Sequence, residues 1–365
     1  MAVVGHSDLV PLAPMQAAAA PLTDLYDVAL LDLDGVVYIG AHAVPGVPEA
    51  LTAARGTGMH LAFVTNNAAR TPAAVAAHLS ELGIAADPVE VITSAQAGAR
   101  YLAERLPVGA KVLVVGTSGL YEALEERGLS PVATAEPNVA AVIQGYSPDL
   151  NWHQLAEGAV VIGRGLPWVA TNVDPTVPSP RGPLPGNGSL VAALRHATNA
   201  TPVVTGKPDP TMHRETILRT GARRPLVVGD RLDTDIEGAN RVGCASLLTF
   251  SGVTRPADLL AAPAELRPTY LSTDASGVLQ AHAAVSSSEG RWSCGGWSVR
   301  AVEGGLELVR ETAVRGSAAN DSADGLDALR ALALASWSAH DAGSSAAIRA
   351  VGAGETEELA RLGLA

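Results

Sequence analysis

Short apolar runs alternate along the chain with Ala- and Leu-rich amphipathic stretches, and the runs end on Gly, Asp, Thr or Asn. Val28–Leu31 leads into Asp32, His60–Val64 into Thr65, Lys111–Val115 into Gly116, and Leu226–Val228 into Gly229-Asp230. Continuous apolar runs of this length fit strands buried on both faces, as in a parallel sheet. Between them, Pro72–Leu82 sets Val75, Leu79 and Leu82 on one helical face, and Pro210–Thr220 is a second helical stretch. Strand and helix in alternation predict an α/β fold with right-handed crossovers. Ligands of such sheets sit beyond the carboxyl ends of the strands, so polar residues just after apolar runs are the candidates for chemistry.

Residues 97–198 carry a strand–helix pattern of their own. Val112–Val115, Ala140–Ile143 and Val160–Ile162 read as strands, with helices near Leu120–Arg127 and Leu155–Glu157. A Pro/Gly-rich loop, Asp174–Gly188, then interrupts the pattern. The Ser-Ser-Ser-Glu-Gly run within Val285–Gly290 reads as a linker. Beyond it, Trp292–Arg300 and Leu306–Arg310, joined around Glu303-Gly304-Gly305, read as a β-hairpin. Asp324–His340 reads as a helix after the polar residues Asn320–Ser322, and Ala347–Val351 as another strand.

At 365 residues the chain has room for two or three domains, and 47% hydrophobic residues against 17% charged make a sizeable core rather than disorder. The formal net charge of −12 gives no basic footprint for nucleic acid or an anionic membrane surface. Two cysteines, Cys244 and Cys294, cannot make a disulfide scaffold or a cysteine-rich zinc site. The first twenty residues lack Lys and Arg, so the basic start of a secretory signal is missing and a cytoplasmic location is expected.

Two acidic clusters stand at predicted strand ends: Asp32-Leu33-Asp34-Gly35, and Asp230 with Asp235 inside Gly229–Asp235. An isolated Asp-Gly is usually only a turn. Two such clusters brought to one sheet edge would repel unless a cation lay between them, and an all-oxygen site selects a hard ion, Mg²⁺ foremost. Other strand ends carry Val64-Thr65-Asn66-Asn67 and Thr205-Gly206-Lys207-Pro208. Thr65 and Asn66, with Asn67 beside them, offer hydroxyl, amide and backbone donors at what reads as the start of a helix, an anion cradle. Lys207 adds a point charge suited to phosphate.

The order Asp-x-Asp, Thr-Asn-Asn, Gly-Lys-Pro, Gly-Asp-x-x-x-Thr-Asp resembles the haloacid dehalogenase superfamily, and specifically its NagD-type phosphatases. Gln144-Gly145-Tyr146, Leu150-Asn151-Trp152, Ala170–Asp174, Pro185–Leu190 and Ser251–Thr254 also look like that subfamily. The resemblance implies a Rossmann-like parallel-sheet core at 21–96 and 199–282, an inserted α/β cap at 97–198, and, beyond the family's usual end, a small α+β C-terminal domain at 283–365. Residues 1–20 form an N-terminal extension. It further implies that Asp32 is the nucleophile, forming an aspartyl-phosphate, and that Asp34 is the general acid/base. Mg²⁺ would be held by Asp32, the Asp34 carbonyl and Asp230, with Asp235 ordering a metal-bound water. Thr65, Asn66, Asn67 and Lys207 would hold the phosphoryl group.

A small phosphorylated metabolite is the expected partner, glycerol 3-phosphate first and 2-phosphoglycolate next, because the cap region offers few aromatic platforms: Tyr146, Trp152 and Trp168 are scattered. Arg164 and His196 are the cap-region polar residues to test against the leaving group. A homo-oligomer is compatible with this reading. Other readings stay open: a phosphotransferase, a pyridoxal- or aryl-phosphate phosphatase, or, from another class, a non-hydrolytic regulator that binds a phosphometabolite. The C-terminal strand–strand–helix–strand order faintly resembles part of an acyl-CoA-dependent acetyltransferase. No glycine-patterned pyrophosphate loop stands near Arg315-Gly316, so no catalysis is expected there. Its tryptophans, Trp292, Trp297 and Trp337, should dock on a neighbour.

Overall fold

The computed structural model describes residues 13–177, 181–311, 321–344 and 347–365. They divide into two compact units, one holding the residues up to 61 together with 222–365, the other residues 62–221. The chain passes between them within the strand His60–Thr65.

In the first unit, Tyr270–Ser272, Ala245–Thr249, Pro225–Gly229 and Val28–Leu31 lie side by side in that order, all parallel. Val28–Leu31 and Ala245–Thr249 are buried along their whole length, which is why Val28–Leu31 is an unbroken apolar run and Ala245–Thr249 admits only the small polar residues Ser246 and Thr249. Leu31 is in register with Val228, so the chain leaves the sheet at Asp32 and Asp230 from adjacent strands at the same edge.

The C-terminal residues complete this unit. Ser286–Ser288, Arg291–Cys294, Trp297–Val302, Gly305–Arg310 and Ala347–Ala350 form a mixed sheet in chain order, antiparallel until the last pair, which is parallel. The helix Asp327–Asp341 packs on it and buries Leu329, Leu332 and Trp337 in one cluster with Leu248, Leu259 and Leu271. Trp337 Nε1 donates to the Leu259 carbonyl at 2.9 Å, and Arg267 forks onto Asp341 at 2.7 and 2.6 Å. Trp337 docks on the same chain, and Trp292 and Trp297 pack, partly buried, against the same cluster.

Two details of this region differ from expectation. Ser286–Ser288 is an edge strand, not a linker: Glu289 and Gly290 both have positive φ (46° and 75°) and close a two-residue hairpin onto Arg291. Trp292–Arg300 is broken in two, because Gly295-Gly296 turns the chain between Cys294 and Trp297. Arg315-Gly316 and Asn320 lie outside the described residues.

In the second unit, His60–Thr65 pairs in parallel with Val91–Thr93. A five-stranded parallel sheet follows the order Val203–Val204, Trp168–Ala170, Val139–Gln144, Lys111–Val115, Ser130–Val132. Its alternation fills two cores: Val112, Val114 and Ile143 face one helical layer, and Leu113, Val115 and Val142 the other. Val160–Ile162 belongs to the helix Trp152–Gly163, not to a strand. Its apolar residues continue a helical stripe, with Gly158, Val161 and Ile162 buried at i, i+3 and i+4, and the Asn151 side chain caps the first turn.

Candidate active site

Three carboxylates meet in the first unit. Asp32, Asp230 and Asp235 each offer an oxygen within 4.8 Å of the others. Asp32 and Asp230 arrive from neighbouring strand ends. Asp235 arrives through a π-helical turn, Leu232–Ile236, in which the Arg231 N–H donates to Asp235 Oδ2 at 3.1 Å. Such turns recur at functional sites because the extra residue re-aims a side chain. Asp233, in the same acidic run, is exposed and forked onto Arg231, so the run separates inward carboxylates from an outward one.

The backbone closes tightly around Asp230, which is fully buried. The Val253 N–H donates to its Oδ2 at 2.7 Å. A Cβ at Gly252 would stand 1.9 Å from that oxygen, and one at Gly35 2.5 Å from it, where φ is also +92°. Both positions therefore need glycine. Carboxylates at such spacing, with Asp230 and Asp235 buried and Asp32 partly so, suit a hard divalent cation: the donor set is all oxygen, and one charge repels the next without it. Asp34 is exposed and its carboxylate stands outside this group among the described residues. In the sequence Gly252 and Val253 stand out only as part of Ser251–Thr254, and nothing in their residue types signals a backbone donor.

The second unit holds the other candidates. Thr65 is 3% exposed and Lys207 4% exposed. Lys207 Nζ donates to the Val64 carbonyl at 3.3 Å. Asn66 joins them through its side chain: Oδ1 accepts the Lys207 N–H at 2.8 Å, and Nδ2 donates to the Lys207 carbonyl at 3.1 Å and to Asp174 at 3.3 Å. Its own carbonyl accepts from Ser94 Oγ at 2.6 Å and Asn172 Nδ2 at 2.8 Å. Thr65–Asn67 do not open a helix: the next helix along the chain begins at Pro72, with Thr71 as its cap. The intervening residues turn instead on Asn67, whose exposed side chain accepts the Ala69 N–H at 2.8 Å.

Arg164 donates to the carbonyls of Ala135 and Glu136 at 2.9 and 2.8 Å, bracing that loop, and His196 is exposed in the last turn of its helix. Trp168 is core, whereas Trp152 is 73% exposed.

A family model for haloacid dehalogenase-like hydrolases matches residues 29–130, and a second hydrolase model of that kind matches residues 204–277. A GCN5-related N-acetyltransferase-like model matches residues 294–364. A D-glycerol 3-phosphate phosphatase of Mycobacterium tuberculosis is 43% identical over 317 residues, 87% of each chain. A crystal structure of a glycerol phosphate phosphatase from M. tuberculosis with magnesium superposes with a TM-score of 0.85 at 40% identity, covering 95% of this chain and 100% of that one. The p-nitrophenyl phosphatase of Archaeoglobus fulgidus gives a TM-score of 0.64 at 28% identity, covering 70% of this chain and 98% of that one. The ordered motifs, the carboxylate triad and these likenesses agree, and the chain belongs to the haloacid dehalogenase-like hydrolases, in their NagD-type phosphatase branch, with an added acetyltransferase-like C-terminal domain.

Proposed function

We propose that this chain is a Mg²⁺-dependent phosphatase of small polyol or carboxylate phosphates, glycerol 3-phosphate first and 2-phosphoglycolate next. The observation that carries the reading is the convergence of Asp32, Asp230 and Asp235. The likeness to a D-glycerol 3-phosphate phosphatase over most of both chains supports the substrate.

Asp32, Asp230 and the Asp34 carbonyl would hold the ion, with Asp235 beside them. When bound, the ion neutralises charge on the carboxylates and on the phosphoryl oxygens. The Asp32 carboxylate attacks phosphorus in line and displaces the alkoxide, giving an aspartyl-phosphate. Asp34 gives its proton to the departing oxygen. It then takes one from the water that cleaves the acyl phosphate, releasing inorganic phosphate and restoring Asp32. The exposure of Asp34 suits a group that exchanges protons with both leaving group and water. Thr65, Lys207 and backbone N–H groups following Thr65 stabilise the phosphoryl oxygens. The Asn66 amide is taken up by Lys207 and Asp174, so its role is to hold that cradle rather than to contact phosphate.

The test is phosphate release from a panel of small phosphates, with and without Mg²⁺. Glycerol 3-phosphate should lead. A tenfold higher kcat/KM for pyridoxal or aryl phosphates, about 1.4 kcal/mol of transition-state preference, would reverse the substrate assignment. Absence of Mg²⁺-dependent phosphate release from every compound would remove the phosphatase reading itself.

A further inference from the structure

Away from the carboxylate triad, the second unit gathers three arginines around one buried acid. Glu215, in the helix Pro210–Thr220, is 3% exposed. Arg127, which ends the helix Ser118–Glu126, donates to its Oε1 at 2.8 Å. Arg100, on the helix Ser94–Ala103, pairs with its Oε2. Arg219, one turn along from Glu215 on the same helix, brings Nε to 3.5 Å from Oε1. Arg100 also reaches the exposed Glu104 at 2.8 Å, and Arg219 reaches Gln96 at 3.4 Å. The three guanidinium groups, Glu215, Glu126 and Leu218 line an open cavity of about 500 Å³.

Of the three acids at this cavity only Glu215 is buried; Glu104, paired with Arg100, and Glu126 on the lining are exposed, and water screens their charge. One buried carboxylate needs one cation to compensate it, yet three guanidinium groups converge on it, each still 24–32% exposed. A carboxylate accepts at about four lone-pair positions, whereas each guanidinium carries five donors in a fixed fork. The surplus donors are of the type that grips a tetrahedral dianion with paired hydrogen bonds. The cavity is of the size that small-molecule sites occupy. We propose that Arg100, Arg127 and Arg219 form a second anion site, for a phosphate group, with Glu215 as the internal counter-charge that pre-arranges the three forks. Because the arginines come from three separate helices, an occupant would tie the helix Ser118–Glu126 to the other two.

Isothermal titration of the full-length chain with inorganic phosphate tests this, since binding is read without turnover. Two classes of site are expected, the reaction site and this one. Arg127→Gln and Arg219→Gln should each abolish one class and leave the other unchanged; both side chains are partly exposed, so both variants should fold. Glu215→Gln, which removes the internal competitor, should tighten that same class about tenfold or more. Competition by phenylphosphonate at this class identifies a site for phosphate monoesters, and its exclusion a site for the free ion. Either outcome supports the assignment. Phosphate binding that is indifferent to Arg127→Gln and Arg219→Gln overturns it. So does a Glu215→Gln protein whose melting temperature falls while its phosphate affinity stays the same, because the cluster is then only an ion-pair fastener.

Discussion

Asn66 grips the backbone of Lys207 from both sides, accepting its N–H at 2.8 Å and donating to its carbonyl at 3.1 Å. The fit is close: a Cβ on the preceding Gly206 would stand 2.7 Å from the Asn66 amide oxygen and 2.2 Å from the Thr171 carbonyl. Asn66→Ala frees the lysine backbone on both sides, and a displacement of about 1 Å can lower rate by about 10²-fold. A fall of that order in kcat/KM is expected, with melting temperature little changed. Asn66→Asp keeps the acceptor, loses the donors and should fall in between. Activity within twofold of wild type in Asn66→Ala would show that the clamp does not position Lys207.

Asp32→Asn keeps the side chain's shape and removes the attacking carboxylate. It also relieves repulsion among Asp32, Asp230 and Asp235, so the fold should persist or gain slightly. Turnover measured by phosphate release should drop by about 10³-fold or more. A variant retaining a tenth of the activity would exclude the aspartyl-phosphate route.

Gly252 offers a test of the ion that leaves every carboxylate in place. Any side chain there collides with Asp230 Oδ2 and displaces the oxygen that Val253 orients. Disturbing such a supporting contact typically lowers metal affinity by about 10–100-fold. In Gly252→Ala, the Mg²⁺ concentration giving half-maximal activity should therefore rise by at least about tenfold, and full activity should return at high Mg²⁺. An unchanged Mg²⁺ requirement would separate Asp230 from the metal.

Much of this arrangement is legible in the chain because buried parallel strands advertise themselves as unbroken apolar runs, and the residues after them mark the sheet's chemical edge. Asp32, Thr65, Lys207 and Asp230 all stand just past such runs. What escaped depends on backbone or on distant partners. The Val253 N–H and the space beside Gly252 leave no residue-type signal. The Asn66 amide carries the donors a phosphate would want, and its contacts with Lys207 and Asp174, 141 and 108 residues away in sequence, leave no local signal. Val160–Ile162 failed as a strand because three apolar residues in a row fit either period. Only the capped helix that contains them decides.

The buried Asp324–Arg330 pair should make acid stability depend on the C-terminal domain. Burial pushes the Asp324 carboxyl up, but the hydrogen bond and charge of Arg330 outweigh it and hold the group below the ordinary carboxylate value. A depressed carboxyl contributes stability that is present above its unfolded value, about 3.9, and that is lost as pH falls through its folded value. Asp324→Asn leaves Arg330 with Asp327 at 3.2 Å, and breaking such a pair costs about 3–5 kcal/mol. The variant should melt lower at pH 7, and its melting temperature should fall less steeply between pH 5 and 3 than that of wild type. Parallel pH profiles would remove Asp324 from the acid response.

The C-terminal domain also decides whether the hydrolase half can stand alone. Trp337 is 2% exposed and sits among Leu248, Leu259 and Leu271, residues of the hydrolase sheet and its flanking helix. Arg267 lies over its ring at 5.1 Å and forks onto Asp341 four residues on. Removing residues 283–365 would turn that cluster outward as a contiguous apolar patch, which promotes aggregation. Asp32, Asp230 and Asp235 all precede the cut. The truncated chain should therefore be poorly soluble or melt at least about 5 °C lower, while whatever stays folded still releases phosphate. Trp337→Ala in the full chain should reproduce the destabilisation alone, at about 3–5 kcal/mol, without altering KM. A truncated protein as soluble and stable as the full chain would make the contact dispensable. Loss of turnover in a well-folded truncation would mean instead that residues 283–365 act on the reaction itself.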